Sequence, residues 1–356
     1  MSYKILAINP GSTSTKIALY ENELEIFCKI IDHPVEEIEK FGKVQDQFQM
    51  RKDIIISFLK DYGLDLKELS AVVGRGGMLP SVKSGAYRVN DVMADRLKNR
   101  PVIEHASNLG ALIAYEIANC VGVSAYIYDS VRVDELKDIA RISGMPDITR
   151  TSTSHALNSR AMAMKTAKKY NKKYEEMNFV IAHLGGGISL SVHEKGRMVD
   201  IMSDDEGPFS PERAGRVPCK ELIDLCYSGK YDKKTISRKL RGNGGLKAYL
   251  NTVDAREVEK MIENGDENAK LVYEAMAYQV AKGIGELATV VDGDVDAVVI
   301  TGGIAYSKMM TGWIKKRVEF IAPVEIMPGE NEMESLALGT LRVLRGEEEA
   351  REYDLD

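Results

Sequence analysis

The chain has 356 residues, of which 29% are charged and 44% are hydrophobic, and its formal net charge at pH 7 is −6. This length exceeds what one ordinary hydrophobic core needs and predicts two packed domains. The acidic balance argues against a nucleic-acid-binding surface. No segment reaches the roughly 18 consecutive apolar residues of a membrane-spanning helix. From the charge we expect no nucleic acid as partner, and from the absence of such a segment we expect no membrane.

The four cysteines show no CxxC pairing and no regular spacing (Cys28, Cys120, Cys219 and Cys226). This pattern predicts reduced, buried thiols rather than a disulfide framework or a zinc site. The first residues lack the basic and long apolar regions of a signal peptide. The sequence therefore predicts a cytoplasmic protein.

The first part of the chain alternates short β-rich runs with amphipathic stretches. Hydrophobic periodicity predicts strands at residues 3–9, 16–20, 24–31, 71–74 and 125–128, and helices at 44–62 and 105–120. The second part repeats this arrangement, with strands predicted at 179–183, 188–194, 197–202 and 296–301 and helices at 155–174, 269–291 and 334–344. The charged tail, residues 346–356, is expected to be frayed or solvated.

The two halves can be superposed at two places. Residues 8–14 parallel residues 182–188, and residues 71–77 parallel residues 297–303. The offsets are 174 and 226 positions, so the second half would carry about 52 additional residues between the two matches. The common order predicts a duplicated α/β domain, with a ligand in a cleft between the halves. We place the domains at residues 1–150 with 335–356, and at 151–334.

Three glycine-containing turns are the candidate phosphate sites. Residues 9–16, NPGSTSTK, offer hydroxyls, an amide and backbone N–H groups to an anion or its metal, although alone this motif is typical of a polar hairpin. It is not a P-loop, because GxxxxGK[ST] is absent. In HLGGG, residues 183–187, the glycine run predicts close approach of a ligand, and His183 could bind a phosphoryl group or be structural. TGGIA, residues 301–305, suits a phosphate or a flat base.

Six ordered blocks extend over essentially the whole chain: LAINPGSTSTK, RTSTSHALNSR, AHLGGGISLSV, SDDEGPFSPERAGRVP, VVITGGIAYS and PGENEMESLALG. They resemble the acetate and butyrate kinases of the actin, Hsp70 and sugar-kinase superfamily, especially the butyrate-kinase branch. The resemblance implies two duplicated ribonuclease-H-like (actin-like ATPase) domains, each a mixed five-stranded sheet flanked by helices, with an interdomain cleft. It also implies ATP/ADP and Mg²⁺ as cofactors, and a homo-oligomer.

The implied reaction is reversible phosphorylation of a small carboxylate, butyrate or isobutyrate, to an acyl phosphate. Propionate, acetate or another branched acid is an alternative substrate. A non-catalytic actin-like ATPase module would keep the phosphate turns without needing the arginines described below. A sugar or polyol kinase would need a catalytic aspartate base for a hydroxyl, whereas a carboxylate needs none.

The family pattern also implies the roles of individual residues. The nucleotide and its phosphates would be bound by Asn9, Ser12, Ser14, His183, Gly185, Gly186, Gly187, Gly302, Gly303 and Ile304. Arg75 is similar to the arginine that binds the substrate carboxylate, and Asp129 to the carboxylate near the acyl oxygen and the metal. Arg216 is similar to the arginine that stabilises the transferring phosphoryl group. Two arginines suit this chemistry because each can bind carboxylate or phosphoryl oxygens with two N–H groups.

Two further comparisons with the family concern the metal ligands and a position where this sequence departs from the acetate kinases. Ser12 and Glu332 are matched to the metal, with Glu330 and Glu334 close enough to leave the register open. Acetate kinases carry a His where this chain has Thr151, and we assign Thr151 no role. His155 could support the site from behind or simply lie in a helix-capping segment.

The acyl pocket gives the hint about substrate size. Acetate kinases place a branched aliphatic residue two positions after the carboxylate arginine, where this chain has Gly77, and Pro211 is matched to the same pocket. The missing side chain would leave room for additional methylenes, each worth about 0.8 kcal/mol when buried. We therefore expect four-carbon acids to be preferred over acetate, and a Gly77→Val variant to shift the preference toward acetate.

Overall fold

The computed structural model describes residues 2–354, which form two compact units. The first contains the chain up to Asp134 and again from Asn331, and the second contains Glu135–Glu330. The strands are β1 Lys4–Pro10, β2 Ser14–Glu21, β3 Leu24–Asp32, β4 Ala71–Arg75, β5 Ala86–Arg88, β6 Ser124–Tyr128, β7 Asn178–Leu184, β8 Ile188–Glu194, β9 Arg197–Met202, β10 Ala297–Gly302, β11 Val324–Pro328 and β12 Arg351–Glu352.

The α-helices are α1 Val35–Ile38, α2 Phe48–Asp61, α3 Asp91–Asn99, α4 Asn108–Val121, α5 Ala156–Lys169, α6 Cys219–Tyr227, α7 Lys233–Leu240, α8 Gly245–Leu250, α9 Ala255–Glu263, α10 Glu267–Ala288, α11 Lys308–Val318 and α12 Glu332–Leu344. Short 3₁₀ turns lie at Val44–Gln47, Leu66–Glu68, Asp138–Arg141, Tyr174–Glu176, Thr289–Val291 and Gly303–Tyr306. Within residues 2–354, none of these helices has the length and apolar character needed to cross a bilayer.

The first unit is a mixed sheet with strand order β12-β5-β6-β4-β1-β2-β3. Strands β1, β2 and β3 form an antiparallel meander, and β4 and β6 run parallel to β1. Helices α4 and α12 both pack on the central strands β1, β4 and β6. The central strands are nearly continuous apolar runs, because covered strands have no solvent face on which polar residues would alternate.

The second unit has the order β11-β10-β7-β8-β9, which repeats the order of β6, β4, β1, β2 and β3 with the same strand directions. The register repeats as well. Ile5 pairs with Ala71 in the first sheet, and Phe179 pairs with Ala297 in the second. Phe179 follows Ile5 by 174 positions and Ala297 follows Ala71 by 226 positions, which are the two offsets read from the sequence. The duplication is therefore confirmed at the level of individual strand pairs.

The first sheet has seven strands rather than the expected five; the two additional strands are β5 and β12, and β12 belongs to the tail. β12 pairs with β5, and the side chain of Tyr353 is only 1% exposed. The carboxylate of Glu348 accepts hydrogen bonds from Tyr128 Oη at 2.6 Å and Arg342 Nε at 3.2 Å. The expectation of fraying is wrong for this part of the tail, because β12 is paired and Glu348 is hydrogen-bonded, whereas Glu347, Glu349 and Asp354 are exposed as expected; residues 355–356 lie outside the described residues.

The segment before residue 150 packs with the second unit rather than the first. Lys137 N donates to Val199 O at 2.9 Å, and Arg150 Nη1 lies 3.0 Å from Asp200 Oδ1. Both partners belong to β9, so the observed units divide at Asp134 and Asn331 instead of at the predicted residues 150 and 335.

The cysteines are free thiols, but all four are exposed, so the expectation that they would be buried was wrong. Cys28 is on the edge strand β3, and Cys219 and Cys226 are on α6, which has no buried residue. The sequence around these cysteines does not show whether each position is buried or exposed, and the prediction had assumed burial.

His193, on β8, is a fully buried histidine of the second unit. Its ring is fully buried between Tyr174 Oη at 2.6 Å and Ser191 Oγ at 3.0 Å. Burial, assisted by the charge of Arg160, lowers the pKa of His193 to about 3. The ring is therefore neutral in the folded protein at pH 7.

We expect His193 to make folding stability sensitive to acid. Because the unfolded state binds a proton below a pH of about 6.5 and the folded state does not, stability should fall as pH decreases through that value toward the folded pKa. Relative to a His193→Gln variant, the wild-type free energy of unfolding should lose up to about 1.4 kcal/mol per pH unit. Urea unfolding of both proteins over this range measures the difference, and parallel pH dependences would contradict the assignment.

Candidate active site

Three predicted site residues lie at or near the ends of three parallel strands of the first unit: Asn9, assigned to the phosphates, and Arg75 and Asp129, assigned to the acid. β1, β4 and β6 are adjacent, with Ile8 opposite Gly74 and Arg75 opposite Tyr128. Asn9, Arg75 and Asp129 therefore lie at the same edge of the sheet, where ligands of open α/β sheets bind. The position of each residue follows from the strand register.

Glu332, the first residue of α12, joins this edge. Asn9 Nδ2 donates to Glu332 Oε2 at 2.6 Å, and Arg75 Nη2 lies 3.4 Å from Glu332 Oε1. Glu332, one of the three candidate glutamates, therefore contacts two predicted site residues. The side chain of Arg75 is nearly buried, and its Nη1 has no hydrogen-bond partner among the described residues. A buried guanidinium nitrogen of this kind calls for an acceptor such as a carboxylate.

Asp129 directly follows β6 and is held by the backbone of Gly85. Its Oδ1 accepts from Gly85 N at 2.7 Å, and its own N–H donates to Gly85 O at 3.2 Å. The residue is 2% exposed and has a φ of +40°, in the left-handed region that a non-glycine residue adopts at a cost. These bonds fix the carboxylate in one orientation.

The space beside Gly77 is filled by the protein. A Cβ built on Gly77 would lie 2.6 Å from Asn108 Oδ1 and 2.8 Å from Leu97 Cδ2, and Asn108 also accepts from Met78 N at 2.7 Å. The argument that this glycine leaves room for additional substrate methylenes is therefore wrong. Pro211, the other predicted pocket residue, is buried in the second unit, where its carbonyl accepts from Lys247 N at 3.0 Å.

A Gly77→Val variant should consequently lose stability rather than prefer acetate. The added side chain must displace Asn108 or Leu97, and overpacking of this kind costs about 1–3 kcal/mol. Chemical unfolding and the ratio of kcat/KM for butyrate and acetate test this together. A stable variant with a preference shifted toward acetate would restore the pocket argument.

His183, at the end of β7, is held in place on two sides. Its Nδ1 lies 3.0 Å from Asn158 Oδ1, and its ring stacks on that of His155 at 3.9 Å with an interplanar angle of 10°. Asn158 Nδ2 donates to Gly329 O and Glu330 O, so its oxygen faces the histidine. His155 directly precedes α5, at the N-cap position, but makes no side-chain capping bond. Its structural role is thus to support His183, not to cap the helix.

The glycine run after His183 accommodates side chains of the protein. A Cβ on Gly187 would lie 2.4 Å from Arg213 Nη1, and a Cβ on Gly186 would lie 3.3 Å from Glu212 Oε2. Ser210 Oγ donates to Gly186 O at 2.7 Å. Residues 210–213, SPER, therefore pack directly on the turn, and the guanidinium of Arg213 occupies the space that a side chain at position 187 would take.

Arg213 is a partly buried cation that the sequence interpretation missed. It contacts the carboxylate of Asp204, which also lies 3.1 Å from Arg241 Nη2. Burial, with a smaller effect of the Arg241 charge, lowers the pKa of Arg213 to about 10, so it stays protonated at neutral pH. The block ERAGR offers two arginines three positions apart, and the sequence alone does not say which one reaches the turn.

Arg216 lies elsewhere. Its guanidinium pairs with Glu286 on α10 at 3.1 Å, and both side chains are more than half exposed. With Tyr278 and Lys282 it lines a separate cavity of about 240 Å³. The structure thus does not bring Arg216 to the glycine turn, and it assigns Arg216 an exposed ion pair, which contributes little to stability.

The third turn lies beside the second because β7 and β10 are parallel neighbours, with His183 opposite Thr301. Gly302 has a φ of +92°, and a Cβ there would lie 2.3 Å from Leu184 O. A Cβ on Gly303 would have no neighbour within 4 Å, while Ile304 is 9% exposed. Gly302 is therefore required by the backbone, and Gly303 leaves an open surface beside an apolar side chain.

Two mixed sheets of one repeated topology, with polar or glycine-rich turns after β1, β7 and β10, form a two-domain fold of the actin-like ATPase type. The Acetokinase family model matches residues 148–327. Butyrate kinase 2 and butyrate kinase 1 of Clostridium acetobutylicum are each 50% identical to this chain; the matches cover 99% of it, and 100% and 99% of the relatives. The chain belongs to the acetokinase family, which comprises phosphotransferases with a carboxyl acceptor.

Among solved structures, acetate kinase from Porphyromonas gingivalis has the same fold. Its crystal structure matches with a TM-score of 0.79, covering 96% of this chain and 100% of that one at 18% identity. The likeness supports the fold without bearing on the substrate.

Proposed function

We propose that this protein transfers the γ-phosphoryl group of ATP to a short-chain fatty acid, butyrate or a close relative, and forms an acyl phosphate and ADP reversibly. The observation that carries the proposal is the nearly buried Arg75 guanidinium, which has a nitrogen lacking a partner among the described residues and lies beside Glu332 at the edge that also bears Asp129. An arginine in this setting suits a substrate carboxylate.

The two units would then take different substrates. Arg75, Asp129 and Glu332 make the first unit the acyl side, whereas the turns at His183 and Gly302 make the second unit the nucleotide side. His183 and the neighbouring glycines would contact phosphates, and Gly303 with Ile304 would contact the adenosine. Asn9, Ser12 and Ser14 would bind phosphate oxygens.

The chemistry needs alignment and charge neutralisation rather than a general base. A carboxylate is ionised at neutral pH and can attack the γ-phosphorus directly, in line with the departing ADP oxygen. We assign the stabilisation of the phosphoryl charge to Arg213 rather than Arg216, since Arg213 lies against the glycine turn. Its guanidinium can donate two N–H groups to phosphoryl oxygens.

Magnesium fits the oxygen donors of the first unit. Residues 2–354 contain no metal-binding cluster of three or more His, Cys, Asp or Glu side chains, but Mg²⁺ commonly takes one or two carboxylates together with waters and substrate phosphates. Glu332 and the Ser12 hydroxyl, with Asp129 nearby on the same edge, would hold it, and Asn9 would orient Glu332. The ion would supply neutralisation of phosphate charge.

The identity of the acid rests on the relatives. Two proteins called butyrate kinases share half of their residues with this chain over its whole length. Because the space beside Gly77 is filled, that glycine no longer supports the preference, and we propose butyrate or isobutyrate on the likeness alone. Homo-oligomerisation and a cytoplasmic location stay predictions.

Trapping with hydroxylamine tests the proposal. The protein, ATP and Mg²⁺ are incubated with straight and branched acids from acetate to hexanoate, and the acyl hydroxamate is measured. We expect dependence on ATP, Mg²⁺ and acid, with kcat/KM highest for four-carbon acids. ATP hydrolysis without any hydroxamate would instead favour an actin-like ATPase module that phosphorylates no acid, and an optimum at acetate would overturn the substrate assignment.

A further inference from the structure

Arg51 is a fully buried cation in the first unit. It lies on the inner face of α2 with Ile55 and Leu59, at the four-residue spacing of one helix face, and all three are 0% exposed. None of its contacts in the described part of the chain is with a carboxylate. A buried charge of this kind costs several kcal/mol unless its N–H groups are all satisfied.

The guanidinium is satisfied mainly by the backbone of the first turn. Nη1 donates to Gly11 O at 2.8 Å and Ser14 O at 3.0 Å, and Nη2 donates to Ser12 O at 2.9 Å. The remaining bonds go to Thr15 Oγ1 at 3.1 Å and to Gln47 Oε1 at 2.8 and 3.1 Å. Arg51 thus joins the carbonyls of the turn from its inner side.

The carbonyl groups and the N–H groups of this turn therefore have different surroundings. The carbonyl of Thr13 accepts from His33 N at 2.9 Å, so each of the four carbonyls from residue 11 to residue 14 has a donor within the protein. The N–H groups of Ser12 and Thr13, by contrast, have no acceptor among residues 2–354, and both residues are exposed. Carbonyls bound inside and N–H groups left outside are the arrangement of anion-binding backbone turns.

We propose that Arg51 is a positioning residue for nucleotide binding: its guanidinium fixes the carbonyls of residues 11, 12 and 14, and its charge lies behind the N–H groups that receive a phosphate. This inference rests on the proposed function of the turn and adds to it a residue that does not touch the substrate. This role explains why a cation without a paired carboxylate is buried next to the turn. Residues 9–15 of the turn contain no basic side chain, so Arg51 supplies a positive charge there.

Two substitutions separate geometry from charge. Arg51→Lys keeps the charge but loses the fork that reaches three carbonyls. Gln47→Glu keeps the shape and the acceptor oxygen but places a carboxylate on the guanidinium and cancels its charge. Leu59→Ala is the matched control, because it removes buried volume from the same helix face, two turns from Arg51, without contacting the turn.

The readout is the KM for MgATP against the KM for the acid, with unfolding of each variant measured in parallel. Both Arg51→Lys and Gln47→Glu should raise the KM for MgATP about tenfold, the size of a lost charge-assisted bond, and leave the KM for the acid within about twofold. Leu59→Ala should lose stability with both KM values close to wild type. Unchanged KM for MgATP in both variants, or equal rises for both substrates, would overturn the proposal.

Direct titration of ADP and ATP separates this outcome from failure of the proposed function. If the wild type binds nucleotide but forms no hydroxamate, the activity is wrong, and the affinities of the two variants still decide the role of Arg51. Weaker nucleotide binding by both variants supports the proposal, and wild-type affinity in both rejects it.

Discussion

Replacing Arg213 with alanine should lower kcat by about two to three orders of magnitude, or roughly 3–4 kcal/mol of transition-state stabilisation. The physical reason is its contact with Gly187, which places a protonated guanidinium at the turn assigned to the transferring phosphate. Nucleotide affinity should change much less, because the effect is largest where negative charge develops. Steady-state kinetics and a nucleotide titration measure the two quantities.

The matched control is Arg216→Ala, from the same block. Arg216 pairs with Glu286 on the surface, so its loss should change kcat by less than about threefold. A reversed result, with Arg216→Ala inactive and Arg213→Ala active, would return the phosphoryl-stabilising role to Arg216. Equal losses in both variants would show that the whole loop, and not one arginine, is required.

Replacing Arg75 with methionine should raise the KM for the acid and lower kcat/KM by about a hundredfold or more, the cost of one charge-assisted bidentate pair. The KM for MgATP should stay within a few-fold, because the residue is assigned to the carboxylate. Arg75→Lys should recover only part of the loss, since an ammonium cannot bind a carboxylate with two parallel N–H groups.

Glu332 provides the check on that interpretation. Arg75 lies 3.4 Å from Glu332, so its removal also leaves a carboxylate without its cation. A Glu332→Gln, Arg75→Met double variant removes both charges, and the rise in the KM for the acid should persist in it. Recovery of wild-type KM in the double variant would mean that Arg75 acts only by pairing with Glu332.

Much of the fold could be predicted because it depends on local pattern and on repetition. The apolar runs at residues 4–10 and 178–184 define the central strands, and the two sequence offsets reproduce the observed register of Ile5 with Ala71 and of Phe179 with Ala297. The same register places Asn9, Arg75 and Asp129 at one edge. Sequence order and strand direction suffice for that inference, since parallel strands end together.

Other features depend on which side chains meet, and no local pattern records this. The glycines at 77 and 187 suggested space for a ligand, but Asn108 and Arg213 fill it. The charged tail resembled a solvated end, yet Glu348 and Tyr353 pair with or pack on the sheet. No sequence pattern indicated a role for Arg51, because it contacts the turn through backbone carbonyls that lie 37 to 40 positions away in the chain.

The central claim is that a carboxylate oxygen attacks the γ-phosphorus of ATP, and oxygen-18 in the acid tests it most directly. Butyrate labelled in both carboxyl oxygens is incubated with ATP, Mg²⁺ and the protein, and the acyl phosphate is observed by phosphorus NMR. Direct transfer predicts an isotope-shifted phosphorus signal, because the bridging oxygen between acyl carbon and phosphorus comes from the acid. Release of unlabelled inorganic phosphate without acyl phosphate, or formation of AMP and pyrophosphate, would contradict the account.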